Sequence, residues 1–454
     1  MDKALSAGQF PVRWVSGLGF GLGYPLFNFY PPLTYYLGEV AHLIGFGFID
    51  SIKLVWFVAI VGSGISMYFL ARKLFGKIGG IVAALFYIYA PYHAIDAYVR
   101  GALAELFSFV WLPLILLNSS KPVISGIFLA LLMITHNLIF LPFVGIYILW
   151  SRNIKNIIIS LIIAFGLTAF FWLPALWEKQ FTLVDDLLTK NLASYKIHFV
   201  CLPQLWDSLW GYGGSIAGCI DGMSFKLGKL HIIASLLALI VAVIKKSKII
   251  FILFLLFIFS VFMTTEYSSF IWDRIPQLWY LQFPWRFLEF AALFSALLAG
   301  SIFKYIPRYL SIFLILLLLF FNVKLFQPQT YLNVTDTDLT SELEIKQKVS
   351  STSFEYLPKG SPLKASDYQN IEVLPSQLPI ANFPGWKVFV DGEEVEFNDN
   401  NKYKLITLNF PIQNKNVIAK FTNTPVRVIG NFTTLICIIV VSLYLTYEYR
   451  RNKT

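Results

Sequence analysis

The residues from Ser51 to Ala71 read SIKLVWFVAIVGSGISMYFLA, and Arg72 and Lys73 follow them directly. A helix needs about 20 apolar residues to cross a hydrocarbon core that is about 30 Å thick. This stretch therefore predicts a transmembrane helix with its basic end at one membrane surface. Comparable apolar stretches predict eleven spans in all, at 51–71, 78–91, 103–117, 123–135, 137–150, 154–175, 230–244, 249–263, 286–303, 309–326 and 429–447.

The composition of the whole chain also indicates a membrane protein. Of its 454 residues, 57% are hydrophobic and only 14% are charged, whereas soluble domains have about 25% charged residues. The formal net charge of +10 does not indicate nucleic acid as a partner, because the basic residues follow the predicted topology. From Gln327 to Pro425 there are 9 Lys and Arg against 12 Asp and Glu, so the basic excess lies in the membrane part.

Basic residues are concentrated in alternate loops between the predicted spans, which defines the cytoplasmic side. The opposite loops, at 91–102, 176–229 and 264–285, are longer and aromatic and are predicted to face outward. The last helix and its basic tail, 429–454, place the C-terminus in the cytoplasm of a multi-pass protein of the plasma membrane. The cytoplasmic clusters are Arg72, Lys73 and Lys77; Lys121; Arg152 and Lys155; Lys245, Lys246 and Lys248; Lys304 and Arg308; and Arg450, Arg451 and Lys453.

The first 50 residues precede the transmembrane domain, 51–326, and are predicted to be the remainder of a first outer loop. Eleven spans with a cytoplasmic C-terminus place Met1 outside, yet no signal peptide follows it. We therefore expect one upstream transmembrane helix that this sequence lacks. The segment from Phe27 to Phe48 is then predicted to be a helix in the outer interface. If that segment does span the membrane, the parity changes and the expectation fails.

Residues 327–428, between the last two spans, have the pattern of an extracytoplasmic β-rich domain. Strand-like stretches begin at Trp386, Leu405 and Val417, and polar turns join them. Asp391-Gly392 is a strong two-residue hairpin signal, because a type I′ turn needs positive φ at both positions. A small antiparallel sandwich is therefore predicted, and residues 327–380 are expected to be only partly ordered.

The three cysteines do not form a metal-binding pattern, so no metal site is predicted. Cys201 and Cys219 share one predicted outer loop and either form a disulfide or remain two free thiols. Cys437 lies in the last span. In the same loop, Trp210-Gly211-Tyr212-Gly213-Gly214 fits either a shallow carbohydrate platform or a tightly turned loop.

The loop from Pro91 to Glu105 holds the first group of candidate functional residues. On a helix, Asp96 and Arg100 lie on one face, with His93 one turn earlier. Charged groups at membrane depth are costly, so they are paired or functional. One interpretation is a structural Asp96–Arg100 salt bridge. The other is an outward-facing site in which Arg100 binds a phosphate and Asp96 or Glu105 binds a hydroxyl.

Two further groups of candidates lie near the outer ends of spans. His136 and Asn137 separate two short apolar stretches, and His136 is either a packing residue or a catalytic base. Trp285 and Arg286 begin another span, where the guanidinium either pairs with Glu289 or clamps a lipid-linked phosphate. Asp96, Arg100, His136 and Arg286 are predicted to converge on one outward-facing cavity, because exposing them to lipid would cost several kcal/mol.

Several stretches together resemble bacterial and archaeal membrane proteins called 6-pyruvoyl-tetrahydropterin synthase-related, and their YfhO-like relatives, which resemble the GT-C glycosyltransferase superfamily. They are Gly8-Gln9-Phe10-Pro11-Val12-Arg13-Trp14, Gly23-Tyr24-Pro25-Leu26-Phe27-Asn28-Phe29-Tyr30-Pro31-Pro32, Pro91 to Arg100, Phe283-Pro284-Trp285-Arg286, and Phe383-Pro384-Gly385-Trp386-Lys387-Val388-Phe389-Val390-Asp391-Gly392. The five histidines are scattered, unlike the zinc-binding histidines of the soluble pterin synthases.

The resemblance implies transfer of a sugar from a polyprenyl-phosphate donor to a glycan or glycolipid acceptor at the outer face. It places the family's catalytic carboxylate in the first outer loop, which this sequence lacks in part, so the chain as given is expected to be inactive or incomplete. Asp96, Glu105 and His136 are the catalytic candidates; Arg100, Arg286, His93, Asn137 and Trp285 are the binding candidates. No cofactor is implied, and a divalent metal has no support. The alternatives are a glycolipid transporter or flippase and a non-catalytic envelope scaffold.

Overall fold

A computed structural model describes residues 1–188, 194–307 and 309–451. Arg308 and Lys453, which contribute to predicted cytoplasmic clusters, and five residues of the predicted 176–229 loop lie outside the described residues. The chain divides into two compact units. The first unit comprises Met1–Ser51, Phe165–Leu188 and Asn333–Thr454, and the second comprises Ile52–Ala164 and Thr189–Leu332.

Helices make up most of the described structure, and twelve of those described have ten or more residues. They are α1 (Leu33–Leu43), α2 (Phe48–Ile88), α3 (Leu103–Leu117), α4 (Pro122–Thr135), α5 (Asn137–Trp150), α6 (Ile154–Leu167), α7 (Ala169–Glu178), α8 (Lys229–Ile244), α9 (Lys248–Thr264), α10 (Leu288–Ile302), α11 (Leu310–Asn322) and α12 (Pro425–Arg451). Shorter helical turns join them, including the π-helical turn Ile95–Val99 and the 3₁₀ turn Pro284–Phe287.

Three helical segments are long and apolar enough to cross a membrane: α2, Pro284–Ile302 and α12. Two bent pairs, one joining α6 to Ala169–Phe181 and one joining α9 to Glu266–Arg274, raise the number to five if each pair is one span. The helices α3, α4, α5 and α8 are apolar but have 14 to 16 residues, which is short for a bilayer. Among the described residues the structure therefore supports three to five spans, and eleven stays a prediction.

The predicted spans 51–71 and 78–91 correspond to the two helical parts of α2, which are separated by a kink at Gly76. Gly76 has φ 83° and ψ −179°, so the helix axis is interrupted just after the basic residues Arg72 and Lys73. The predicted interfacial segment from Phe27 to Phe48 contains α1, which has 11 residues and is far shorter than a span.

The core of the second unit forms around α10, whose fifteen residues are all buried. It packs against α8 and α9, which expose apolar side chains on their other faces. A helix that is apolar on all sides needs such an enclosed position. Glu289 is therefore carried into the protein interior, and this fixes one wall of the charged cluster described below.

The first unit contains two small antiparallel sheets near the C-terminus. Strands β1 (Gln377–Ala381) and β4 (Leu405–Thr407) pair with each other. Strand β2 (Trp386–Val390) lies between β3 (Glu393–Val395) and β5 (Val417–Phe421). The predicted strands at Trp386, Leu405 and Val417 are confirmed. Val388 and Val390 lie on one side of β2 and are buried in an apolar cluster with Ile406 of β4, as alternation along a half-buried strand requires for β2.

The hairpin predicted at Asp391-Gly392 is also confirmed. Val390 pairs with Glu393, so two residues form the turn, and their φ values are 52° and 94°. Both positive values are those that a type I′ turn needs. The local sequence alone therefore determines this turn.

A buried ion pair joins distant parts of the first unit. Nε and Nη2 of Arg427 donate to Oε2 of Glu178 at 3.0 and 2.9 Å, and both side chains are essentially unexposed. Asn28 donates to the same oxygen at 2.8 Å and accepts from Arg13 at 3.1 Å. Because Glu178, Asn28 and Arg427 lie in three separate parts of the sequence, this network holds the first unit together.

Candidate functional site

The first candidate residues lie on a turn of unusual geometry in the second unit. Ile95–Val99 is a π-helix, and it ends where Gly101 adopts φ 61°. Wide π turns disturb the regular ladder of backbone hydrogen bonds and often occur at functional sites. The turn carries Asp96, and Arg100 directly follows it. Helix α3 begins at Leu103, so Glu105 lies within its first turn.

Arg100 forms the densest set of contacts. Its Nη1 donates to Oδ1 of Asp96, as the four-residue spacing predicts, and lies 3.4 Å from the Tyr92 hydroxyl. Its Nη2 donates to Oε2 of Glu105 at 2.9 Å. The guanidinium plane lies over Trp285, with 4.5 Å from Cζ to the ring centroid. Arg100 is thus held by two carboxylates and one indole ring.

Arg286 approaches the same carboxylate from another part of the chain. Its Nε lies 3.3 Å from Oε2 of Glu105, although the orientation is not that of a hydrogen bond. Its Nη1 donates to the carbonyl oxygen of Leu281 at 2.7 Å. The predicted local pairing of Arg286 with Glu289 does not occur, because Glu289 instead accepts a hydrogen bond from Ser108.

The carboxylate of Glu105 is therefore the point at which the site residues meet. Its Oε1 accepts from the Tyr92 hydroxyl, and its Oε2 faces both arginines. Only 1% of the Glu105 side chain is exposed, against 15% for Arg100 and 9% for Arg286. The two guanidinium groups form an anion-binding arrangement, and the anion now in it belongs to the chain itself.

His136 completes the group from the end of α4. Its Nδ1 accepts from the backbone N–H of Ile139, and its Nε2 lies 3.7 Å from Oε2 of Glu105. Because Nδ1 accepts, a neutral ring carries its proton on Nε2, which faces the carboxylate. Desolvation lowers the pKa of His136 to about 3, so the ring is neutral at pH 7.

Two carboxylate oxygens in the cluster have no hydrogen-bond partner among the residues that the structure describes. Oδ2 of Asp96 and Oε2 of Glu289 are both buried and unpaired. Burial and the nearby charge of Glu105 raise the pKa of Asp96 well above its ordinary value. A buried oxygen of this kind is available to a hydroxyl or a proton, since it has no competing donor.

The remaining sequence candidates have different surroundings. Trp285 belongs to the cluster through its contact with Arg100, and its Nε1 is buried without a partner. His93 is fully buried and stacks on Phe109 with 4.4 Å between ring centroids, so its position is that of a packing residue. Asn137 is half-buried at the first position of α5. The structure thus brings Asp96, Arg100, Glu105, His136, Trp285 and Arg286 together, and their functional roles stay predictions.

Tyr92 and Ser108 belong to the cluster but were not among the sequence candidates. Tyr92 lies in the quoted loop, and its hydroxyl has no sequence signal that distinguishes it from the other 22 tyrosines. Ser108 lies one helical turn after Glu105, on the same face of α3, and this spacing is the signal that could have revealed it. Its hydroxyl contacts both Glu289 and the Glu105 carbonyl oxygen.

The large loop of the second unit contains a disulfide bond, which was one of the two alternatives that the sequence allowed. Cys201 and Cys219 are bonded, with their Cα atoms 5.6 Å apart. Gly213 donates to the carbonyl oxygen of Gly222 at 2.9 Å, and a Cβ on Gly222 would collide with the backbone of Gly214. These glycines let two segments of the loop approach closely, which supports the tightly turned interpretation.

Across the ranges that the structure describes, no three His, Cys, Asp or Glu side chains are placed to hold a metal ion.

No protein-family model, curated protein or solved structure matches this chain.

Proposed function

We propose that this chain is a GT-C-like glycosyltransferase, which transfers a sugar from a polyprenyl-phosphate donor to a glycan or glycolipid acceptor at the outer membrane face. The observation that carries the proposal is the approach of Arg100 and Arg286 to one carboxylate oxygen. Two guanidinium groups around one anion form a site that suits a phosphate, whose oxygens accept several N–H donors at once.

The donor phosphate takes the place of the Glu105 carboxylate in this proposal. Both are anions with several oxygen acceptors, and the Glu105 carboxylate now occupies the position beside the two guanidinium groups. Displacement of Glu105 leaves the Tyr92 hydroxyl and the two guanidinium groups free to bind the phosphate. The lipid tail of the donor lies among the apolar side chains of neighbouring helices.

In the reaction, the acceptor hydroxyl oxygen forms a bond to the anomeric carbon while the bond from that carbon to the phosphate oxygen breaks. The electron pair leaves with the phosphate, and Arg100 and Arg286 stabilise the charge that develops there. The hydroxyl proton goes to a base. Asp96 suits this role because its Oδ2 is buried with no hydrogen-bond partner among the described residues, so it can accept the proton.

The test is transfer of a labelled sugar from a polyprenyl phosphate in membranes that contain the full chain. Arg286→Ala is expected to abolish transfer, and Arg286→Lys is expected to retain little, because an ammonium cannot bind a phosphate bidentately. Lys387→Ala, which removes an exposed cation, serves as the matched control. Transfer by Arg286→Ala at the wild-type rate and membrane abundance would contradict the proposal.

Glu289 favours a second candidate function, which is transport of a glycolipid. A carboxylate inside a membrane helix is costly and often belongs to a proton pathway. Glu289 is buried in α10 and keeps one oxygen unpaired. Movement of a fluorescent glycolipid across proteoliposome membranes, lost in Glu289→Gln and accompanied by no sugar transfer in the wild type, would favour the transporter.

A further inference from the structure

The disulfide-closed loop of the second unit exposes an unusual set of large apolar side chains. Leu209 is 78% exposed, Ile220 59% and Leu202 52%. Trp206 and Ile216, at 46% and 45%, belong to the same loop. Ordered loops in water rarely present so much apolar surface, and a contiguous patch of this kind marks an interaction site.

Covalent and hydrogen bonds make these side chains neighbours. Leu202 and Ile220 each directly follow a cysteine of the disulfide, Cys201 and Cys219 respectively. Leu202 and Trp206 lie one helical turn apart on the short helix that they bound. The disulfide therefore brings the segment that contains Leu202 and Trp206 next to the segment that contains Ile220, and together they form one surface.

Asp221 fixes the position of Leu209 in this loop. Its carboxylate accepts from Gln204 at 2.8 Å, from Ser208 at 2.7 Å and from the backbone N–H of Leu209 at 3.0 Å. Leu209 is thereby fixed beside the residue that follows Ile220. Gln204 and Ser208 are buried where they bond to Asp221. Leu209 and Ile220 are exposed beside them, and so is the ion pair of Asp207 with Lys229.

Lysines and indoles surround this apolar surface. Lys226 lies over the Trp210 ring at 5.2 Å, and Lys229 lies over the Trp206 ring at 5.8 Å. Tryptophan and lysine prefer the boundary between water and lipid, where the ring or the aliphatic stem is buried and the polar end stays wet. The ammonium groups are also suited to lipid phosphates.

The apolar surface continues into a helix that has an apolar exposed face. Lys229 begins α8 directly after the loop, and α8 exposes Ile233, Leu237 and Ile240 along its length. A lipid-facing helix and the loop at its end share one boundary with the membrane. The disulfide agrees with this position, since such bonds persist on the oxidising, outer side.

We propose that the surface formed by Leu202, Trp206, Leu209, Ile216 and Ile220 lies in the boundary between headgroups and acyl chains of the outer leaflet. Its partner is the phospholipid leaflet itself, and it anchors the loop that follows His198 at the membrane surface. This inference does not depend on the proposed glycosyltransferase activity. It assigns a lipid contact to a loop that the topology alone places in water.

The test uses the full chain in lipid nanodiscs that contain a phospholipid with a diazirine in the upper part of its acyl chain. After irradiation, proteolysis and mass spectrometry map the lipid adducts. We expect adducts on the peptides that contain Leu209 and Ile220 and on α8. The double substitution Leu209→Asp and Ile220→Asp should lower the loop adducts about tenfold, because carboxylates avoid the acyl region.

Adducts on α8 and an intact Cys201–Cys219 bond show that the variant is folded, so a loss confined to the loop supports the proposal. The segment around Ser120, which is exposed and faces the predicted cytoplasm, reports the background. Wild-type loop adducts no higher than those at Ser120 would overturn the proposal. A crosslink between loops of two chains in place of lipid adducts would also overturn it, in favour of a second copy as the partner.

Discussion

Nη2 of Arg100 and Oε2 of Glu105 lie 2.9 Å apart, although Arg100 directly follows a π-helical turn and Glu105 lies in the first turn of the next helix. The same oxygen lies 3.3 Å from Nε of Arg286, which comes from a distant part of the sequence. The second unit therefore contains a two-arginine anion site that its own glutamate fills. This relationship leads to the first prediction.

Glu105→Gln keeps the size of the side chain and removes the negative charge between the two guanidinium groups. Without ligand, the variant should lose about 3 kcal/mol or more of stability, because the largely buried Arg286 loses its counter-ion and Arg100 keeps only Asp96. A short-chain prenyl phosphate should raise the Tm of the variant more than that of the wild type, since no internal carboxylate competes with it. Thermal unfolding in detergent measures both effects, and Glu394→Gln at an exposed ion pair is the control. Equal ligand-induced shifts in Glu105→Gln and wild type would contradict the anion site.

The buried pair of the first unit should be essential for stability. Arg427→Ala leaves the Glu178 carboxylate buried with only Asn28 and Thr424 as donors, and should cost about 3–5 kcal/mol. Thermal unfolding of the purified protein measures the loss. Lys387→Ala breaks the exposed pair with Glu394 and should change the Tm far less. An equal loss of Tm in both variants would show that burial does not make the Arg427–Glu178 pair more stabilising than the exposed pair.

The turn at Asp391-Gly392 should resist a side chain at its second position. Gly392→Val introduces a β-branched residue at φ 94° and should destabilise the hairpin by about 1 kcal/mol or more. Space is not the cause, because a Cβ there would meet nothing within 4 Å. Limited proteolysis should cut the region between β2 and β3 faster in this variant. Glu393→Val, in the adjoining strand, is the control and should be cut at the wild-type rate.

The predicted sidedness can be tested with single cysteines in a Cys437→Ser background. An impermeant thiol reagent added to intact cells should label Asp391→Cys and should not label Lys246→Cys. Lys246 belongs to a basic loop, and such loops stay in the cytoplasm. After the cells are opened, both positions should react. Labelling of position 246 but not position 391 in intact cells would show that the predicted topology is inverted.

Acid should loosen the disulfide-closed loop through Asp221. Desolvation favours the neutral carboxyl, but hydrogen bonds from Ser208, Leu209 and Gln204 outweigh it and lower the pKa. A lowered folded-state pKa stabilises the fold above the unfolded pKa of about 3.9, and the stabilisation is lost as the pH falls through the folded value. Hydrogen exchange in the loop should therefore accelerate below about pH 4 in the wild type beyond the chemical effect of pH. Asp221→Asn, compared at the same pH, should lack this additional change; an identical pH response in both proteins would exclude Asp221 as the cause.

The sequence alone determined the features that depend on neighbouring residues. Apolar stretches predicted the helices, alternation predicted the strands that begin at Trp386 and Val417, and Asp391-Gly392 predicted the hairpin turn that follows the first of them. The four-residue spacing predicted the contact of Asp96 with Arg100. In each case the energetics act within a few residues, so the pattern is readable without the fold.

Only the tertiary structure decided which distant groups meet. Glu105, rather than Glu289, faces Arg286, and Glu178 meets Arg427 across most of the chain. The bond between Cys201 and Cys219 was likewise one of two outcomes that the sequence allowed. The physical reason is that a buried charge must find a counter-ion wherever packing brings one close, and packing is set by the whole set of apolar faces. A sequence pattern records that such a charge is present, but the three-dimensional arrangement of the helices selects its partner.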